Sequence, residues 1–180
     1  MILVEGWAEE LLIPELAKII GIDLTKCGVS VVNVGNTAFL RYAKVFQRED
    51  GEQIDIPVSV ITDLDIRPDA YDAIDENKKT EKDFNIADEI TRIKAKYEGQ
   101  RVKAFVSPHW TLEYCIALSE KLRPHLYEAV TAAGEELYQD GKTGKRITEA
   151  FDDFSNDKDD KTFAFTLYYH FISFYIFHRY

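Results

Sequence analysis

The chain reads as an α/β protein: a four-stranded, mainly parallel sheet flanked by helices, with a helical C-terminal extension. Three observations lead there. Short β-branched, apolar runs recur at residues 2–4, 29–34, 57–62 and 101–106. Stretches with helical spacing separate them, the alternation expected of parallel βαβ units with right-handed crossovers. Beyond residue 107 the pattern is helical only.

Taken in order, Ile2-Leu3-Val4 is the first strand. Residues 8–20 form a helix with Leu11, Leu12, Leu16, Ile19 and Ile20 on one face. Pro14 should kink or shift it, and Gly21 suits its C-terminal cap. Residues 29–34 are the second strand, ended by Gly35-Asn36. Residues 37–46 read as a helix through Phe39, Tyr42, Ala43 and Phe46. A polar loop leads to the third strand at 57–62. Residues 66–82, polar and mixed in charge, read as an exposed loop. An amphipathic helix over 83–97 uses Phe84, Ile86, Ala87, Ile90, Ile93 and Tyr97, and the fourth strand follows at 101–106. Residues 110–122 and 124–138 read as helices. The chain divides into an α/β core over 1–122 and a helical extension over 123–180.

The tail is unusual. Residues 163–180 hold nine of the twenty-one Phe and Tyr residues, spread around a helix rather than along one face. Such a helix is usually buried. It reads as a last helix packed on the domain or on a missing neighbour, as the interface of a homo-oligomer, or as a non-native addition.

With 180 residues and 46% hydrophobic content, the chain suits one domain with a real core. No stretch reads as a signal peptide or is clearly long and apolar enough to span a bilayer, so a cytoplasmic location without membrane partners is expected. The chain begins inside an apolar run and reads as a piece of a longer protein. Cys27 and Cys115 lack metal-ligand spacing and read as reduced, half-buried core thiols. The net charge of −10 argues against a free-standing nucleic-acid binder, because phosphate affinity comes mainly from Lys and Arg. Either some acids are metal ligands whose charge the ions offset, or the basic surface lies on another domain or subunit.

Two of the apolar runs stop at acids: Val4-Glu5-Gly6-Trp7-Ala8-Glu9 and Ile61-Thr62-Asp63-Leu64-Asp65. Ligands bind open parallel sheets at the carboxyl ends of the strands. Gly6 allows a tight turn, and Glu9, one helical turn on, can lean back toward Glu5. In extended chain the spacing of Asp63 and Asp65 puts both on one face. Four converging acids need cations, and Mg²⁺ or Mn²⁺ takes such hard oxygen ligands. Singly, each acid reads as a surface residue near a helix N-terminus or in a turn; the two motifs together read as a metal site. His109, beside Trp110, is a general base or phosphate contact only if the site includes it. No G-x-x-x-x-G-K-[ST] loop is present; Gly141-Lys142-Thr143-Gly144-Lys145 lacks that spacing, so no bound nucleotide is expected.

Glu-Gly-x-x-Glu after one strand and Asp-x-Asp after a later one resembles the Toprim domain, shared by topoisomerases, primases and nucleases. Val31-Val32-Asn33-Val34-Gly35 and Trp110-Thr111-Leu112-Glu113-Tyr114 bring the likeness closest to the overcoming-lysogenization-defect (OLD) nucleases, including Gabija-type systems. The resemblance covers residues 1–122 and, more weakly, extends to 165. It implies a Rossmann-like Toprim fold and metal-dependent DNA cleavage or nicking in phage defence. Glu5, Glu9, Asp63, Asp65 and Glu113 would be the ligands of two Mg²⁺ or Mn²⁺ ions, with Glu5 and Asp63 central to catalysis. Lys161, in Lys161-Thr162-Phe163-Ala164, matches the family's charge-stabilising lysine, with Lys145 and Lys142 as runners-up. The resemblance further implies a DNA substrate and an ATPase domain on the N-terminal side. The competing classes are a non-catalytic assembly module on the same scaffold, and primase- or topoisomerase-type nucleotidyl transfer.

Overall fold

The computed structural model describes residues 1–35, 39–73 and 75–137. In chain order these form β1 (Ile2–Val4), α1 (Trp7–Ile19), β2 (Val31–Asn33), α2 (Phe39–Val45) and β3 (Val58–Thr62). Two 3₁₀ turns, Asp69–Ala73 and Glu81–Asp83, precede α3 (Ile86–Tyr97), β4 (Val102–Val106), α4 (Leu112–Leu118) and α5 (Arg123–Leu137). The strands form one sheet in the order β2-β1-β3-β4, and each pairing is parallel. The expected α/β architecture is therefore present, with all four strands running the same way. The chain divides into two compact units. The first is Met1–Asp65 with Phe84–Pro108; the second is Ile66–Asp83 with the described residues from His109 onward.

In the first unit, period-two alternation sets the core. Val58, Val60 and Thr62 of β3 are buried while Ser59 and Ile61 between them are half-buried. Leu3, Val58, Val60, Val102 and Ala104 meet Ala43 of α2 and Tyr97 of α3, with Val34, Phe46 and Ile93 packed around them. Asn85 caps α3 by accepting from the Asp88 amide. Its first turn is acidic and its last basic, in the sense the helix dipole favours. The cap explains why α3 starts after residue 83: Glu81–Asp83 are held in a 3₁₀ turn, and the helix begins beyond Asn85.

α1 departs from expectation. Leu11, Ile19 and Ile20 are 67%, 80% and 73% exposed, and Leu12 and Leu16 are also on the surface. The less exposed side of the helix carries Glu9, Ile13 and Ala17, four apart, with Glu10 and Pro14 beside them. Polar anchoring orients the helix this way. Glu9 is turned to the Gly6 amide, and Glu10 accepts from Asn33 Nδ2 of β2 at 3.1 Å. Pro14 leaves α1 continuous from Trp7 to Ile19. Cys27 is exposed rather than half-buried, while Cys115 is partly buried.

In the second unit, residues 66–83 are more ordered than an exposed loop. Thr80 is fully buried and pairs with Arg67 in an isolated bridge. Asp83 accepts from the Thr80 amide at 3.0 Å, and Lys82 bonds Asp69 and Asp72. The Arg67 guanidinium lies 5.1 Å from the Tyr71 ring centroid, and Tyr71 meets Trp110 edge to face at 5.7 Å. Lys82 and Asp72 form an ion pair here, while residues 76–79 are exposed as expected. Thr111 caps α4 by accepting from the Tyr114 amide at 3.2 Å, and Arg123 of α5 donates to the Ala117 and Leu118 carbonyls. The aromatic tail and the remainder of the expected C-terminal extension lie outside the described residues.

These burial patterns make opposite forecasts for two apolar positions. Leu3→Ala should cost about 2–5 kcal/mol, the range for truncating a buried leucine. Ile19→Ser, on the exposed side of α1, should change stability by no more than about 0.5 kcal/mol. Urea unfolding of both variants measures this, and equal losses would contradict the packing described.

Candidate metal centre

The strand order puts the site in place. β1 is central: the chain leaves it for β2 on one side and later returns to its other side as β3. Such a switch point opens a crevice at the carboxyl ends of the two strands. Leu3 is level with Val60, so two residues further on Glu5 is level with Thr62. There the Thr62 hydroxyl donates a short hydrogen bond to Glu5 Oε1, and the Asp63 amide donates to the same oxygen at 3.3 Å. The ends of β1 and β3 are thus joined through one carboxylate.

The other acids stand around it. Burial raises the Glu5 pKa above its ordinary value; the Thr62 and Asp63 hydrogen bonds act against this, and the charges of Asp65 and Glu9 reinforce it. Glu9 is 7% exposed, and its Oε2 accepts from the Gly6 amide at 3.1 Å, the glutamate half of a capping box on α1. The chain bends at Glu5–Gly6 as expected, but Gly6 itself is extended, at φ −146° and ψ −174°, so the bend does not draw on glycine's left-handed freedom.

Asp65 also departs from expectation. β3 ends at Thr62, and Asp65 has φ +59°, a left-handed conformation that Asp tolerates better than most residues. The same-face rule for extended chain therefore does not apply, yet Asp63 and Asp65 line one pocket. Ser107, just past β4, shapes this loop. Its amide donates to the Thr62 carbonyl at 3.0 Å, and its hydroxyl accepts from the Leu64 amide at 3.0 Å. The pocket, about 330 Å³, is lined by Asp63 and Asp65 on the loop and by Arg92, Lys96 and Tyr97 of α3. Burial, and then the charges of Glu5 and Asp65, raise the Tyr97 pKa.

Sequence reasoning missed Thr62, Ser107, Arg92, Lys96 and the polar role of Tyr97. Only Thr62 and Tyr97 had a signal, a hydroxyl beside the acids and a tyrosine on a core-facing stripe; the others depend on which strand neighbours which. Glu113 lies in the second unit, in the first turn of α4. His109 lies there too, its ring 6.5 Å from that of Tyr114. Lys161, Lys145 and Lys142 lie outside the described residues.

Among the described residues, no three His, Cys, Asp or Glu side chains converge as ready metal ligands. Like charges with no cation between them repel, and Glu5 and Glu9 are each turned to a hydrogen-bond donor. The donor set still fits a hard divalent ion: carboxylate oxygens at a strand-end crevice, with burial and then the charges of Asp65 and Glu9 acting on Glu5.

Residues 1–65 match the family model described as "Overcoming lysogenization defect protein-like, TOPRIM domain". Over those residues the chain is similar to an OLD-like TOPRIM domain. It is similar to the C-terminal region of the Xanthomonas campestris pv. campestris OLD protein in a structure phased with platinum: 25% identity over 92% of this chain and 80% of that one, TM-score 0.55. The C-terminal region of the Burkholderia pseudomallei OLD protein shares the fold, at 23% identity over 92% of this chain and 85% of that one, TM-score 0.52. No curated protein matches. The Glu-Gly-x-x-Glu and Asp-x-Asp segments both fall within the matched residues.

The raised Glu5 pKa gives a stability test. Ionised Glu5 is less favourable in the folded state than in the unfolded chain, so its contribution is full below the ordinary carboxylate range. It is lost as pH rises through the raised folded value. Glu5→Gln has no charge to lose. In chelator, its Tm should exceed that of the wild type at pH 7 and approach it at pH 4; a difference independent of pH would contradict this account.

Proposed function

We propose that this TOPRIM-like domain is the catalytic part of a divalent-metal-dependent DNA endonuclease or nickase. The observation that carries the reading is the junction of Glu5 with Thr62 and Asp63 across neighbouring parallel strands, with Glu9 and Asp65 near enough for their charges to act on Glu5. Glu5, Glu9, Asp63 and Asp65 would hold the metal. Two Mg²⁺ or Mn²⁺ ions bound there would supply Lewis acidity at the attacking and leaving oxygens of a phosphodiester.

The chain's own residues do the positioning. Thr62 and the Asp63 amide fix Glu5 Oε1. Ser107 holds the backbone on both sides of Asp63, so the carboxylates are presented from strand ends rather than from a free loop. Glu113 as a further ligand and Lys161 as the group that offsets phosphate charge belong to the same proposal on motif grounds alone. So do an ATPase domain on the N-terminal side, a role in phage defence and a cytoplasmic setting. The OLD structures that resemble this chain are C-terminal regions, and among the described residues no helix is long and apolar enough to cross a membrane.

A second reading is favoured by α1, whose Trp7, Leu11, Ile19 and Ile20 are more than half exposed. An apolar face of that kind suits an assembly module, and metal binding separates the two. For the nuclease, calorimetry should give a saturable Mn²⁺ heat, and supercoiled plasmid should be nicked or linearised with Mn²⁺. Asp63→Asn should lower both affinity and cleavage on the order of a hundredfold or more. Undiminished cleavage by that variant, or no saturable Mn²⁺ binding by the wild type, would overturn the proposal.

A further inference from the structure

The pocket beside β3 has two chemically opposite walls. Asp63 and Asp65 on the loop are accounted for by the proposed metal site. Arg92 and Lys96 on α3 line the same pocket and have no role in it so far. They are four residues apart, on one face of the helix. α3 cannot easily roll, because Tyr97 is built into the core and Ile93 packs against it. Both cations are therefore held on the acids' pocket by residues that are themselves buried or half-buried.

Their local partners differ. The Arg92 Nε and Nη2 atoms donate to Glu89 Oε2 at 2.8 and 2.5 Å, an exposed pair that a stronger anion can displace. Lys96 makes no ion pair among the described residues. The helix dipole favours a lysine in the last turn, but it favours Lys94 equally, and Lys94 does not line the pocket. A chain of net charge −10 repels a polyanion, so a strand entering this pocket needs cations at its edge. Lysine binds phosphate as a point charge and arginine as a fork.

We infer that Arg92 and Lys96 form a cationic rim that grips the phosphodiester backbone of a DNA strand entering the pocket of Asp63 and Asp65. This rests on the nuclease reading and adds to it the residues that position the substrate.

The test is binding of the full chain to a fluorescently labelled DNA duplex of about 20 base pairs, followed by anisotropy in Ca²⁺ at several salt concentrations. Each phosphate contact contributes about 0.9 to the slope of log K against log salt. Lys96→Gln should weaken binding several-fold and make the slope shallower by about that amount, and Arg92→Gln should do likewise. Lys94→Gln, the same charge change outside the pocket, should leave the slope unchanged. Mn²⁺ affinity by calorimetry and the melting temperature should be retained in Lys96→Gln. An unchanged slope in Lys96→Gln, or an equal change in Lys94→Gln, overturns the rim. If Asp63-dependent plasmid cleavage persists in that case, the nuclease reading survives and only the rim falls. A wild-type chain that binds no duplex also overturns the rim, while the nuclease reading stands or falls on Mn²⁺ binding and Asp63-dependent cleavage.

Discussion

One carboxylate ties the chemistry of this protein to its fold. Glu5 ends β1, Thr62 ends β3, and the hydrogen bond between them exists only because the two strands are parallel neighbours in a fixed register. Parallel pairing at that register depends in turn on Leu3, Val58 and Val60 being buried on one face. A slip of one residue would turn that face outward and carry Glu5 away from Thr62 together with it. The core and the site are specified by the same alternation.

This coupling has an energetic cost. An acid at a half-buried strand end, with two more acids acting on it, is harder to ionise than a free carboxyl because of desolvation and, secondarily, repulsion. Hydrogen bonds from Thr62 and Asp63 offset part of that cost; the remainder is strain that a divalent ion can relieve. Perturbed carboxyls of this kind are commoner at functional sites than elsewhere. The left-handed backbone at Asp65 and the Ser107 clamp belong to the same local compromise.

α1 shows what polar anchoring does to packing. Its leucines and isoleucines look like a core-facing stripe, yet Glu9 and Glu10 set the helix's orientation through the Gly6 amide and Asn33. A buried acid that needs a donor is costlier to misplace than an exposed isoleucine. The apolar face is left on the surface as a consequence, and it is the feature of this domain that most suits contact with another protein surface.

The sequence by itself determined the element order, the largely apolar strands and the two acidic strand ends, because periodicity and the abrupt change from β-branched residues to acids are local properties. Glu5, Glu9, Asp63 and Asp65 were legible for that reason, as was the resemblance of their spacing to Toprim domains. Only the tertiary structure decided that β3 lies beside β1, since strand order depends on how non-local faces bury one another. Thr62 as the partner of Glu5 follows from that adjacency, and Ser107 as the clamp follows from β4 lying on the other side of β3; Arg92 and Lys96 reach the acids' pocket through the packing of α3. Apart from the Thr62 hydroxyl beside the acids, none of them has a signature in the chain, because what makes each of them matter is a neighbour tens of residues away.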